Sequence, residues 1–139
     1  MSASTPLTGG CACGAVRFEV TEPPTAAIYC HCTRCQKRTG GAASVSVRVA
    51  PGSVRVVEGE ELLRDWSPPG GLAKTFCAGC GGALFARDPD DGTIAVVRMA
   101  AFDADPGVRP TAHQFTAYAA DWEAIPDDGL PRHPERVPG

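Results

Sequence analysis

The sequence lacks any long apolar run: stretches such as 94–97 fall far short of the roughly 18 residues that a membrane-spanning helix needs. The opening MSASTPLTGG also lacks the basic start and apolar stretch of a secretion signal, so the expected compartment is the cytoplasm. Basic residues are scattered rather than clustered, and the formal charge is -3 with a pI near 5.5. That pattern leaves no electrostatic footprint for nucleic acid or an anionic membrane and makes a small molecule the expected partner. No internal repeat and no low-complexity tract is present. At 139 residues there is room for one hydrophobic core but not for two ordinary domains. Residues 1–139 therefore read as a single domain, with its core over about 8–130.

What is present is punctuation. The 16 glycines and 13 prolines fall between short apolar stretches, as turn residues do. Alternating or β-branched segments at 15–20, 26–30, 43–49, 53–57, 62–66, 74–76, 83–86 and 93–99 predict an all-β fold of short antiparallel sheets. In 43–49 the order Ala, Ser, Val, Ser, Val, Arg, Val puts valines on one face and polar side chains on the other. The segment TRCQKRT at 33–39 has good helix formers and stops before Gly40 and Gly41, which predicts one short helical turn. Beyond Gly107 the chain is rich in Pro, Asp and Arg, so an irregular tail anchored by Phe115, Tyr118 and Trp122 is expected, fraying from His133.

Seven cysteines form an odd set, and without a secretion signal metal thiolates are favoured over disulfides. They fall into three groups: Cys11 and Cys13 in CAC, Cys30, Cys32 and Cys35 in CHCTRC, and Cys77 and Cys80 in CAGC. Tetrahedral zinc with bonds of about 2.3 Å wants sulfurs roughly 3.8 Å apart, which close sequence pairs on tight turns deliver. CAC and CAGC, each followed by glycine, together make a closed four-thiolate site that cross-links the two halves of the chain. The alternative for CAGC is a thioredoxin-like redox pair, which normally sits in an α/β context not seen here. The trio Cys30, Cys32 and Cys35 leaves a tetrahedral ion one open position, the arrangement of a catalytic zinc. His31 is a nearby fourth candidate, but in an extended chain its side chain points away from those of its neighbours. Buried, inert cysteine is the bland reading of the trio, and an iron–sulfur cluster is an alternative for four thiolates.

CAC, CHCTRCQKRTGG, FCAGCGGALF, HQF and Trp122, taken together, resemble the glutathione-dependent formaldehyde-activating enzyme family, also called the centromere protein V/GFA domain family. The resemblance runs from Gly10 to about Leu130 and includes all seven cysteine positions. It implies a β-tent fold, a structural zinc on Cys11, Cys13, Cys77 and Cys80, and a catalytic zinc on Cys30, Cys32 and Cys35; an ion held by only three thiolates can be lost more easily, so two zinc ions per chain are expected with the second open to partial occupancy. It also implies condensation of glutathione with formaldehyde to S-hydroxymethylglutathione, a carbon–sulfur lyase reaction in reverse, with a small thiol or aldehyde as partner. Arg34, Lys37, Arg38 and Thr39 beside the trio are candidates to meet a substrate carboxylate, against the plainer reading of a solvated face. His113, Phe115 and Trp122 are candidates to line the site, with His113 as proton carrier. Asp103 and Asp105 read as turn formers. The rivals are a non-catalytic zinc-stabilised binding module and a redox sensor built on the trio.

Overall fold

A period of two needs a partner strand on each side, and the chain supplies it in ten short strands. The computed structural model describes residues 6–138; the first five residues of MSASTPLTGG and Gly139 lie outside it. In chain order the elements are β1 (Leu7–Gly10), β2 (Arg17–Val20), β3 (Ala26–Cys30), α1 (Thr33–Thr39), β4 (Ser44–Arg48) and β5 (Val54–Glu58). Then follow β6 (Leu63–Trp66), β7 (Ala73–Cys77), β8 (Ala83–Arg87), β9 (Ile94–Arg98) and β10 (Pro110–Gln114). Three single 3-10 turns at Glu60–Leu62, Met99–Ala101 and Thr116–Tyr118 join them. The strands form a three-stranded sheet in the order β1-β2-β5 and a seven-stranded sheet in the order β10-β3-β4-β9-β8-β7-β6. The fold is all-β with one helix, as the alternation predicted, and all eight expected segments carry strands. No helix of the described residues is long and apolar enough to cross a membrane.

Two strands are additions to that reading. The sequence LTGG of β1 looks like a turn, yet it pairs with β2 from Leu7 against Val20 to Gly10 against Arg17. Gly9 is there for close approach: a Cβ would stand 2.3 Å from the Ala101 carbonyl oxygen and 2.4 Å from the Phe18 ring. The second addition, β10, lies in the tail that was expected to be irregular. It is an edge strand that opens on proline, where a missing N–H costs least, and it runs parallel to β3. The end of the chain does not fray from His133 either. The His113 N–H donates to the Pro131 carbonyl at 2.9 Å, the His133 N–H to the His113 carbonyl at 2.8 Å, and the Phe115 N–H to the Glu135 carbonyl at 2.9 Å.

The core lies where the sheets meet. Phe18 of β2 meets Phe85 of β8 edge to face at 5.2 Å and Phe102 at 5.8 Å, and Val16, Val20, Val47, Leu84 and Val97 close around them. Val47 and Val49 are buried as the alternation in 43–49 requires. The opposite, polar face of β4 does not open directly to solvent: Ser44 is buried and Ser46 lines a cleft under the helix and tail. The register shows why. Cys30 of β3 pairs with Ser44, and Ile28 with Ser46, which in turn pairs with Arg98 of β9. One row further along run Ala26, Arg48, Val96, Ala86, Lys74 and Trp66, across six strands. A single face of the large sheet thus carries a floor of small residues edged by cations.

Because Phe18 joins the two sheets, truncating it leaves a cavity at their junction. Phe18→Ala is expected to destabilise the fold by about 3–5 kcal/mol, read as a lower denaturant midpoint with an unchanged slope.

Candidate metal centres

The seven cysteines are free thiols, and they gather into two groups. The Sγ atoms of Cys11, Cys13, Cys77 and Cys80 lie within 4.8 Å of one another, and so do those of Cys30, Cys32 and Cys35. The chain turns between β1 and β2 carry the first pair, and the β7–β8 turn carries the second. In the first turn the Gly14 N–H donates to the Cys11 carbonyl at 3.1 Å and the Val16 N–H points at Cys11 Sγ, 3.2 Å away. In the second the Gly81 N–H donates to the Cys77 carbonyl at 2.7 Å and the Gly79 N–H points at Cys77 Sγ, 3.3 Å away. Gly81 has φ 75°, the left-handed region that closes such a turn. Any Cβ at Gly82 would meet the Ala12 nitrogen and Cys80 Sγ, each at 3.3 Å, so glycine lets the two turns approach.

Backbone N–H groups aimed at sulfur favour thiolate over thiol. Burial pushes the Cys11 thiol up, but the Val16 N–H and the sulfurs of Cys13, Cys77 and Cys80 outweigh it and hold it at about 6. At Cys13 a backbone N–H favours the anion, yet the neighbouring Cys11 sulfur drives the thiol up to about 11. Close thiols therefore yield one proton readily and resist the next, which is the behaviour of a site completed by a cation.

The trio is built differently. Cys30 ends β3, Cys32 is the residue before α1 and Cys35 sits in its first turn. The Cys32 sulfur accepts the Cys35 N–H at 3.3 Å, so one side chain caps the helix and faces the cluster at once. Contact with Cys30 lowers the Cys35 thiol to about 5, assisted by Ser44, Cys32 and the Arg98 charge, while Cys35 drives Cys30 well up. The helix ends as expected, with Gly40 in the left-handed region.

Above the trio lies a cleft of about 900 Å³, floored by the small-residue face of the sheet and walled by α1, the 70–72 loop and the tail. Its lining holds five cations, Arg34, Arg48, Lys74, Arg98 and Arg136, and no carboxylate. The Arg34 and Arg38 guanidinium groups rest over the Trp66 ring, 5.9 and 6.0 Å from its centre. Phe115 and Tyr118 line the cleft as wall residues, whereas Trp122 is two-thirds exposed and takes no part in it. Thr39 donates to the Cys35 carbonyl at 2.8 Å and so finishes the helix, and Lys37 stays exposed. Asp103 binds Arg17 and Thr8, and Asp105 binds Arg109 and the Gly107 N–H, both away from the trio.

His113 departs from what the sequence suggested, whereas His31 does not. His113 does not line the cleft; it is buried beneath it, stacked on Tyr29 at 4.6 Å. Its Nδ1 meets His31 Nε2 at 2.8 Å and its Nε2 meets Asp128 Oδ2 at 2.8 Å. His31 is therefore committed away from the trio's sulfurs, in keeping with the pleat. Lys74, Arg98, Ser44 and Asp128 were missed, because only the pairing of distant strands and the docked tail bring them to the site.

An all-β chain with two clusters of sulfur donors, both able to bind metal ions and both suited to zinc, defines the class to which the comparisons then give a family. The chain belongs to the glutathione-dependent formaldehyde-activating enzyme family, whose pattern matches residues 6–118. It is 30% identical over 128 residues to a Halomonas elongata protein named "Putative glutathione-dependent formaldehyde-activating enzyme", a match covering 86% of this chain and 80% of that one. A crystal structure of a Rhodobacter sphaeroides protein, 23% identical, has the same fold with a TM-score of 0.56 over 91% of this chain and 99% of that chain.

The buried histidine pair ties the tail to β3. His113→Ala removes a side chain with two hydrogen bonds and strands His31, so a loss of about 2–4 kcal/mol is expected. Amide exchange resolved by residue is the check: protection should fall at Phe115 and His133 before it falls at Val97.

Proposed function

We propose that this is a zinc enzyme that makes and breaks the carbon–sulfur bond of small thiol–aldehyde adducts, in the manner of S-(hydroxymethyl)glutathione synthase. The observation that carries the reading is the inequality of the two clusters. Four sulfurs close the first, which we assign to a structural zinc on Cys11, Cys13, Cys77 and Cys80. Three sulfurs under a cleft form the second, which we assign to a catalytic zinc on Cys30, Cys32 and Cys35. Among the described residues no fourth side chain joins that trio, and the nearest candidate, His31, is bonded to His113. The same fact speaks against a purely structural module, which needs a saturated second ion.

Zinc at the trio would supply Lewis acidity toward the substrate's sulfur or carbonyl oxygen. The chain does the rest. Cys30, Cys32 and Cys35 hold their sulfurs at a strand end and a helix start below the cleft, so the three donors that would hold the ion are in place before substrate arrives. Arg98, beside Cys35, favours the anionic form of sulfur in the centre. The sheet floor and the tail residues Phe115, Val137 and Pro138 narrow the access of water. The thiol partner and a cytoplasmic setting fit together, since seven unpaired cysteines suit a reducing compartment.

Metal analysis and exchange-resolved NMR of a glutathione–formaldehyde mixture test the reading. Wild-type protein should hold two zinc ions per chain and speed exchange of the adduct; Cys35→Ser should lose one ion and return exchange to the uncatalysed rate while keeping its fold. Cys77→Ser should instead lose folded protein. Exchange no faster with zinc-replete wild type than in buffer would sink the proposal.

A further inference from the structure

Formaldehyde is neutral and has no group for a cation to recognise, yet the trio is ringed by cations without carboxylates. In a chain of net charge -3, the ion pairs among the described residues engage Arg17, Arg55, Arg87, Arg109 and His113. None engages Arg38, Lys74 or Arg98. These three are half-buried and near enough to Cys35 to interact with its charge, whereas Arg34, Arg48 and Arg136 are exposed at the rim of the cleft. A dication held by three thiolates carries one residual negative charge, too little to balance the inner group. Burial, then the nearby Arg98 charge, holds the Lys74 ammonium below its ordinary range.

The inner group is also short of hydrogen-bond partners. The Nε atoms of Arg38 and Arg98 have none, and Arg98 lines the cleft beside Ser44, whose buried hydroxyl is turned to the Cys35 sulfur. Orphaned buried donors of this kind are rare and point to a group not yet in place. Arg98 is aimed by its Nη1, which donates to Ser46 Oγ at 2.7 Å across the β4–β9 pair.

We infer that the aldehyde taken by this cleft carries its own carboxylate, an α-oxo acid of glyoxylate size, gripped by Arg98 and Lys74 beside the trio. The inference rests on the thiol–aldehyde reading above. Inner and outer cations divide the two substrates by reach: a peptide thiol bound through sulfur has its carboxylates several bonds away, at Arg34, Arg48 and Arg136. The carboxylate of an α-oxo acid is one bond from its carbonyl carbon and falls to the inner group. In the step itself the thiol sulfur adds to the carbonyl carbon, the C=O π pair moves to oxygen, and the thiol proton ends on that oxygen. The product is a hemithioacetal, with no change of oxidation state.

The test uses the zinc-replete full chain with glutathione and either ¹³C-formaldehyde or ¹³C-glyoxylate, exchange being measured by NMR. Glyoxylate exchange should exceed formaldehyde exchange, each relative to its uncatalysed rate, and Lys74→Met should lower the glyoxylate-to-formaldehyde ratio about tenfold, the worth of one charge-assisted hydrogen bond. Independently of turnover, glyoxylate without thiol should shift the Lys74 and Arg98 side-chain resonances saturably, and bind about tenfold more weakly to Arg98→Met. If Arg98→Met does not fold, Lys74→Met and the two aldehydes carry the comparison. Acceleration with formaldehyde alone overturns this inference and leaves the proposed function standing. Acceleration with neither overturns both.

Discussion

The pleat of β4 and β9 is the constraint on which everything else depends. Val47 and Val97 are fully buried on one face, so their neighbours Ser46 and Arg98 must point the other way. A one-residue slip would bring Arg98 into the core and throw Val97 into the cleft. The register that satisfies the core therefore also sets the chemistry of the cleft, and no separate device is needed to aim the cations. Cys30 obeys the same rule, since its pairing with Ser44 fixes the face on which the trio assembles.

The two cysteine clusters answer different mechanical demands. The first joins two turns, one after β1 and one between β7 and β8, which belong to different sheets. An ion held by four sulfurs there would draw together segments separated by nearly half the chain, and closing so long a loop is where a cross-link acts most strongly on the unfolded state. The trio spans six residues, closes almost no loop and adds little of that kind. Its position at a strand end and a helix start serves geometry instead, gathering three sulfurs at the floor of the cleft.

The division of the cysteines was legible because sequence spacing alone brings thiols close, and turns around glycine make that certain at CAC and CAGC. The valine alternation of β4 and the helix ending at Gly40 were legible for the same local reason. Two strands were not. Gly9 of β1 serves a close approach to Phe18 that only the folded packing creates, and β10 depends on a parallel pairing with β3 more than eighty residues away. Lys74 and Arg98 illustrate the same limit at the site. Each reads as an ordinary polar position in an alternating strand, and what makes them notable is the company that register gives them. His113 was visible as a candidate and misplaced: its neighbours in HQF suggested the cleft, whereas pairing with β3 turned its ring onto Tyr29 and His31.

The cleft works against the stability of the fold that carries it. Setting Lys74 and Arg98 on one face of the sheet and Arg38 on the helix beside them, with no carboxylate among them, leaves a mutual repulsion that burial amplifies, and orphaned donors add a desolvation cost. Exposed alternatives exist, because Arg55, Arg87 and Arg109 all find carboxylates elsewhere on the same chain. A surface that merely kept the protein in solution would distribute these charges; concentrated beside three thiols, they favour thiolate and leave positive charge over for an anionic ligand. The packing that holds the two sheets together is a separate matter: Phe18, Phe85 and Phe102 meet on the opposite, apolar face of the large sheet, beside Val47 and Val97.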